Sequence, residues 1–274
     1  MIRHRPGAPL NAAVDCIWWS SRSDDSRLIE HMLPSGKPHL IFALHDAPIR
    51  WAPPDRHDAF QAWTRGIVHG PQSSYYVMGP KPKGRIIGVS FHAGTAGAIL
   101  GVPLDELQDR HVCIEDIWGH RAIDLRERLA LAATAHAAIK ILERDLIARL
   151  QRPLLLHPAV AQALRPAMLH GEALSAVRVA EIQKRSGYSA RHFIQLFRAN
   201  VGLAPKQFYR IQRFSSALSR IARGGVTLAD VAISSGYSDQ AHLSREFREL
   251  AGVTPSVYSP PAADAEHHHV VGPR

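Results

Sequence analysis

Two stretches near the C-terminus, SGYSARHFIQLFRANVGLAP (186–205) and SGYSDQAHLSREFRELAGVTP (235–255), repeat one arrangement of residues. In each, a Gly-Tyr-Ser turn precedes a run with apolar residues at helical spacing, then a second glycine, and a proline three residues after that glycine. Glycine supplies the positive φ of a tight turn or a helix C-terminus, and serine is a favoured N-cap. This ordered set indicates one helix–turn–helix unit built twice.

The apolar spacing predicts where the helices lie. A first recognition helix is expected over residues 190–200 with Ser189 as its N-cap, and a second over 239–250 with Ser238 as its N-cap. A long joining helix is expected over 205–223, where apolar residues again recur at three- and four-residue steps.

The two copies differ in length by one residue. Phe197 comes ten positions after Gly187, whereas Phe247 comes eleven positions after Gly236. We therefore expect that the outward face of the second helix cannot be mapped from the first by a simple shift.

Residues 172–260, and most specifically GYSDQAHLSREFRELAGVTPSVY, resemble the DNA-binding domain of AraC/XylS-type transcriptional regulators. The resemblance implies two helix–turn–helix subdomains joined by a long helix, preceded by a helix over 158–170. It also implies double-stranded DNA as a partner, and RNA polymerase if the protein is an activator. In such proteins a small β-barrel that senses a small-molecule effector is followed by helices that dimerise.

The outward side chains of the two recognition helices are the candidate DNA contacts. Arginine hydrogen-bonds bidentately to guanine and glutamine to adenine, whereas an apolar side chain offers only a methyl contact to thymine. The base-reading candidates are Arg191, Ile194, Gln195, Gln240, His242 and Arg245. The phosphate candidates are Ser189, Arg198, Lys206, Ser238, Ser244 and Arg248. For the arginines of the joining helix, solvation or pairing within the helix stays an open alternative to phosphate contact.

Charge and cysteine content agree with a nucleic-acid partner in a reducing compartment. The formal net charge is +9, and the segment 172–260 holds twelve Lys/Arg against six Asp/Glu. The only two cysteines, Cys16 and Cys113, predict no disulfide framework, and no apolar run has the roughly 18 residues of a membrane span. A cytoplasmic protein is expected.

The remaining sequence predicts an α+β protein. Short runs at 38–44, 64–70, 73–79 and 84–92 favour strands, and 123–150 favours a long amphipathic helix or a helical pair. We expect a β-rich sensor-like domain ending in helices (1–152), an all-α DNA-binding domain (153–260) and a disordered tail (261–274). Aromatic residues that could line a pocket or simply fill the core are Trp18, Trp19, Trp51, Trp63, Tyr75 and Tyr76.

No enzyme is expected, because the chain has no nucleophile elbow and no phosphate loop. We assign no catalytic residue, cofactor or metal site, and no ligand residues. The predicted function is sequence-specific transcriptional regulation, modulated by an effector or by dimerisation through the N-terminal domain. The alternative is a constitutive DNA-binding module whose N-terminal half docks a protein partner.

Overall fold

The structure, a computed structural model, describes residues 1–23, 28–56, 59–150, 156–168, 179–260 and 267–271. It confirms the α+β prediction, with a β-rich N-terminal part and a helical C-terminal part. The expected domain boundary at 152–153 lies outside the described residues, as do 169–170 at the end of the helix expected over 158–170.

The N-terminal part is a sandwich of two antiparallel sheets. Its strands are β1 (Ile2–His4), β2 (Val14–Arg22), β3 (Ile29–Met32), β4 (His39–Ala43), β5 (Ile49–Ala52), β6 (Gln61–Trp63), β7 (Gly66–His69), β8 (Tyr76–Met78), β9 (Gly84–Phe91) and β10 (His111–Cys113). Sheet A has the order β1-β2-β9-β4-β7-β10. Sheet B holds β3-β8-β5-β6, with one further strand beside β3 that comes from the C-terminus of the chain.

Alternation along the strands gives each sheet two different faces. On sheet A, Leu40, Phe42 and Val89 belong to a core shared with the helices that follow the sandwich. On the opposite face, Ile41 and Ile67 meet sheet B in a separate, smaller core. We call the surfaces that the two sheets turn toward each other the inner faces.

The N-terminal helices are α1 (Gly97–Leu100), α2 (Glu115–Trp118), α3 (His120–Ala130) and α4 (Ala135–Arg149). The segment 123–150 is therefore a helical pair, one of the two predicted alternatives. Thr134 separates the pair by capping α4, since its side chain accepts a hydrogen bond from the Ala137 N–H.

The C-terminal part is built from helices α5 (Pro158–Leu164), α6 (Val179–Arg185), α7 (Ala190–Val201), α8 (Pro205–Arg223), α9 (Leu228–Ser234) and α10 (Gln240–Ala251). Helix α8 occupies the range predicted for the joining helix. Its first half places Phe208 in the core of the first helix–turn–helix unit, and its second half places Phe214 in the core of the second. Among the described residues, no helix combines the length and apolarity that crossing a membrane requires.

The tail expected to be disordered over 261–274 is ordered in part. Its residues His268–Val271 form strand β11, which pairs antiparallel with β3 at the edge of sheet B. The tail expectation was wrong there because composition alone did not reveal an available partner, the free edge of β3. Residues 261–266 and 272–274 lie outside the described residues.

One loop of the sandwich, residues 70–75, touches both helix–turn–helix units. A Cβ on Gly202, just after α7, would lie 2.6 Å from Pro71 Cγ. A Cβ on Gly252, just after α10, would lie 2.6 Å from Tyr75 Cζ. The C-terminal ends of both recognition helices therefore contact the sandwich. The N-terminal end of each helix, where its cap lies, is the end farther from this contact.

Candidate nucleic-acid interface

The first unit consists of α6, a turn at Gly187, and α7. Gly187 has φ +75, as a tight turn demands, and the Ser189 Oγ accepts a hydrogen bond from His192 N at 3.3 Å. Ser189 is thus the N-cap, as predicted. Phe193 and Phe197 are buried, which fixes the face of α7 that turns toward α8.

The second unit consists of α9, a turn at Gly236, and α10, and its cap differs from the prediction. Asp239 is the N-cap, because its Oδ1 accepts from His242 N at 2.7 Å and the helix begins at Gln240. Ser238 stands one residue before the cap and donates from its Oγ to Asp239 Oδ2 at 3.1 Å. A carboxylate next to a helix N-terminus also gains from the helix dipole, which favours Asp239 over Ser238.

The cap position removes the difference in register between the two copies. Helix α7 runs Ala190–Val201 and α10 runs Gln240–Ala251, so each residue of the first corresponds to the residue 50 positions later in the second. The additional residue of the second copy lies in the turn before Asp239. The expectation that the outward faces cannot be related by a simple shift was therefore wrong.

On α7 the base-reading candidates Arg191, Ile194 and Gln195 share one face at i, i+3 and i+4, whereas on α10 Gln240 stands five residues before Arg245 and lies on a different face. Arg191, Gln195, Gln240 and Arg245 are exposed, and Ile194 is 42% exposed. Under the corrected register Gln195 and Arg245 occupy equivalent positions, in the second turn of their helices.

His242 is less available than the other base-reading candidates. Its Nδ1 lies 3.2 Å from Ser238 Oγ, and its ring packs edge-on to Tyr237 with 5.2 Å between the ring centroids. His192, at the equivalent position of the first helix, packs against the corresponding tyrosine, Tyr188, with 4.8 Å between centroids. Both histidines therefore brace the turn that precedes their helix.

The phosphate candidates are placed in different surroundings. Lys206 and Arg248 are exposed, and Ser244 is half-buried. Arg198 is exposed but directs Nη2 to Gln108 Oε1 of the sandwich at 3.3 Å. Side chains near the C-terminal end of α7 thus face the N-terminal part of the chain.

A buried carboxylate in the second unit was not anticipated from the sequence. Glu246 lies 3.2 Å from Arg210 Nε and 3.6 Å from Arg213 Nη2, both on α8, and accepts a hydrogen bond from the Tyr237 hydroxyl at 3.1 Å. Burial, followed by the charge of Glu246, raises the pKa of Tyr237. The sequence signal for the burial of Glu246 was its position one residue before the inward Phe247. Arg210 and Arg213 accordingly pair with α10 across the helix interface, and not within the joining helix as the alternative had it.

The exposed arrangement can recognise a duplex. Two helix N-termini stand at the ends farthest from the contacts with loop 70–75, and anions bind favourably at such termini. Arginine and glutamine side chains beside them offer hydrogen bonds that match base edges. The arrangement therefore combines helix N-termini that suit anions with exposed hydrogen-bonding side chains.

The inner faces of the sandwich form a second region of interest. Trp18, Trp51, Trp63 and Tyr76 lie on them, whereas Trp19 belongs to the core with the helices. Tyr75 lies outside the sandwich, against Gly252 and stacked on His31 with 4.5 Å between ring centroids. Four of the six aromatic candidates thus lie on the inner faces of the two sheets.

A row of polar residues crosses the inner face of sheet A. Register places Ser90, His39, His69 and His111 directly opposite one another on neighbouring strands. Burial, the largest cause, lowers the pKa of His39 and of His111 to about 3, and holds the pKa of His69 well below 6.5. All three imidazoles are therefore uncharged at neutral pH.

Several nitrogen atoms between the sheets have no hydrogen-bond partner within the described ranges. They are His69 Nε2, His111 Nδ1 and Trp63 Nε1. At the same time His39, Ile41 and Trp51, although inward-facing, stay half-buried. The sheets therefore do not close completely against each other, and the inner faces keep hydrogen-bonding capacity unused.

Comparisons with known proteins support this division of the chain. Residues 182–260 match a family model described as a helix-turn-helix domain, and residues 2–113 match a domain of unknown function, DUF6597. The chain is 32% identical over 80 residues to the probable transcriptional regulator LumQ of Photobacterium leiognathi, which is 29% of this chain and 32% of LumQ. It is 26% identical over 78 residues to the HTH-type transcriptional activator AarP of Providencia stuartii, which is 28% of this chain and 58% of AarP.

These matches span less than two thirds of either relative's length. Among solved structures, ToxT from Vibrio cholerae superposes with a TM-score of 0.44 and 11% identity over 88% of this chain and 95% of that one. The C-terminal region has two capped helices and a joining helix, and the family match covers the same residues. Residues 182–260 are a tandem helix–turn–helix domain of the AraC type.

Proposed function

We propose that this protein is a sequence-specific DNA-binding regulator of transcription, modulated by a small molecule that binds between the sheets of its sandwich. The observation that carries the DNA-binding part is the shared register of α7 and α10. Two helices with equivalent buried faces, equivalent caps and exposed arginine or glutamine side chains are suited to reading two successive major-groove segments.

The exposed side chains divide into two roles. Arg191, Gln195, Gln240 and Arg245 read base edges, and Ile194 contacts a thymine methyl group. Lys206, Arg248 and the two helix N-termini bind phosphates. His242 supports the turn and its recognition helix, so its contribution to base reading is secondary.

Selection of bound duplexes from a random DNA pool, using the full chain, tests the DNA-binding proposal. We expect an enriched sequence that binds at least about 10³-fold more tightly than a scrambled duplex of the same length. Lys206→Ala should weaken both duplexes alike and reduce the dependence of log affinity on log salt by about one. Recovery of no enriched sequence, with equal affinity for all duplexes, would contradict the proposal.

The inner faces support the sensing part of the proposal. Uncharged imidazoles with unused nitrogen atoms lie beside aromatic and aliphatic side chains, which is the composition of a site for a small molecule with a few polar groups. This arrangement favours sensing over the alternative in which the N-terminal half only docks a protein.

Thermal unfolding followed by tryptophan fluorescence tests the sensing part. All five tryptophans lie in the N-terminal region, so the signal reports the sandwich and the elements packed on it. We expect one fraction of a small-molecule cell extract to raise the midpoint, because ligand that binds only the folded state stabilises it. Ile41→Trp, which fills the inner face, should abolish the shift, and Leu131→Trp at an 85% exposed position should retain it. Equal shifts in both variants would contradict the assigned site.

A further inference from the structure

Strand β3 presents different partners on its two faces. On the inner face, Glu30 and Met32 stand opposite Met78 and Tyr76 of β8. On the outer face, His31 donates from Nδ1 to the Ala251 carbonyl at the end of α10, at 2.8 Å, and the next outward residue, Leu33, is buried in the core of the second helix–turn–helix unit.

Strand β11 has the same alternation. His268 points inward, and its Nδ1 lies 2.8 Å from Glu30 Oε2. His269 points outward, where its Nδ1 accepts a hydrogen bond from Ser259 N at 3.1 Å. Ser259 lies eight residues after the end of α10, so β11 contacts sheet B through its pairing with β3 and the segment after α10 through His269.

Further bonds at the two ends of β11 connect it to the second unit and its joining helix. Leu33 N donates to the His267 carbonyl at 2.7 Å, and Val270 N donates to the Ser259 carbonyl at 3.1 Å. His267 Nε2 lies 3.1 Å from Ser215 Oγ on α8. The first unit has a different attachment, through Gln108 and the end of α7.

We propose that β11 is a latch that holds the second helix–turn–helix unit, but not the first, against the sandwich, with the Glu30–His268 contact as its fastening on the inner face. The proposal deepens the proposed sensing function and rests on it, because the fastening lies on the same inner faces as the proposed ligand site. A molecule that competes for Glu30 would loosen the second unit on the opposite side of the same two strands.

The contact between Glu30 and His268 should be strong because Glu30 is buried and has more than one charged partner. The residue is 5% exposed, and its carboxylate also lies 2.6 Å from Lys81 Nζ. A buried carboxylate that loses one partner leaves the remaining charges less compensated, so loss of His268 should affect the strand pair more than loss of a surface histidine.

Backbone hydrogen exchange in the full chain tests the latch. We expect His268→Ala to increase exchange by at least about tenfold in β3 and in the last turn of α10, while α7 keeps its wild-type rate. His136→Ala, which removes an exposed histidine on α4, is the matched control and should change neither segment.

A reversible cross-link provides the opposite perturbation. Ile29 and Val271 are directly paired, at a separation that a disulfide can bridge. In a Cys113→Ser background, Ile29→Cys with Val271→Cys should slow exchange at the end of α10 when oxidised and restore it when reduced. Unchanged exchange in α10 in both experiments, or equal changes in α7 and α10, would overturn the latch. Because neither readout uses DNA or a ligand, a failed DNA selection or a failed search for a ligand would count against the proposed function alone.

Discussion

At the scale of single residues, the buried histidines show how an inner face that holds polar groups affects stability. His69 is 2% exposed, shares a hydrogen bond of 2.8 Å with the Tyr76 hydroxyl, and has a pKa held well below 6.5 by burial. As the pH falls below about 6.5, the unfolded chain binds a proton at this residue while the folded chain does not. Stability from this group is therefore present above pH 6.5 and is lost as the pH falls.

His69→Gln should make the stability of the sandwich less sensitive to acid. Glutamine can replace the hydrogen bond to Tyr76 but does not titrate. Between about pH 6 and pH 5 we expect the unfolding free energy of the variant to fall less steeply than that of the wild type, by about 1.4 kcal/mol per pH unit. Denaturant unfolding followed by tryptophan fluorescence at several pH values measures this difference, and parallel slopes would show that His69 titrates normally when folded.

Two glycines with the same backbone conformation separate local strain from domain contact. Gly187 and Gly252 both have φ +75, but a Cβ added at Gly187 would have open space around it, whereas one at Gly252 would meet the Tyr75 ring. Alanine at Gly187 should cost about 1–2 kcal/mol from the left-handed conformation alone.

Gly252→Ala should cost more than Gly187→Ala, because the new methyl group also overlaps the Tyr75 ring. Thermal unfolding of the full chain followed by circular dichroism gives the comparison. Adding Tyr75→Ala should reduce the excess cost of Gly252→Ala and leave the cost of Gly187→Ala unchanged. Equal costs for the two glycines would mean that loop 70–75 does not contact α10 as described.

At the scale of elements, the two recognition helices show which features the sequence could predict. The apolar stripes, the turn glycines and the joining helix followed from residue spacing and are present in the structure. The cap of the second helix did not follow, since Ser238 and Asp239 are adjacent and both are good N-caps. Only the hydrogen bond from His242 N decides between them.

Replacement of the two candidate caps tests the register of the second helix. Asp239→Ala removes the acceptor for His242 N, so it should lower the thermal midpoint of the second unit by a few degrees. Ser238→Ala removes only side-chain bonds, to Asp239 and to the His242 ring, and leaves the His242 N–H capped, so it should lower the midpoint less. Circular dichroism of both variants measures the order, and a larger loss in Ser238→Ala would favour Ser238 as the cap.

The strands show where sequence reasoning was weakest. The predicted runs contain β4, β7, β8 and β9, whereas the other seven strands of the described residues, β2 and β11 among them, were not predicted. Strand β2 buries side chains on both faces, so it lacks the polar–apolar alternation that marks a half-exposed strand. Strand β11 exists because of a partner more than 200 residues earlier, which no local pattern reveals.

At the scale of the whole molecule, the chain joins a sandwich to two helix–turn–helix units through contacts at the helix ends farthest from the caps. The loop 70–75 touches the C-terminal ends of both recognition helices, and β3 with β11 adds a second attachment for the second unit alone. The capped ends are left exposed, while the attachments differ between the units. A change in the sandwich can therefore act on one unit more than on the other.

The separate use of the two recognition helices is tested most directly by repeating the DNA selection with Gln195→Ala and with Arg245→Ala. These variants change equivalent positions, one in each helix. We expect the wild-type sequence to contain two motifs about 10 base pairs apart, with each variant relaxing the preference at one base pair of a different motif and costing about 1–3 kcal/mol. A single motif, or loss of preference at the same base pair in both variants, would contradict the tandem reading of DNA.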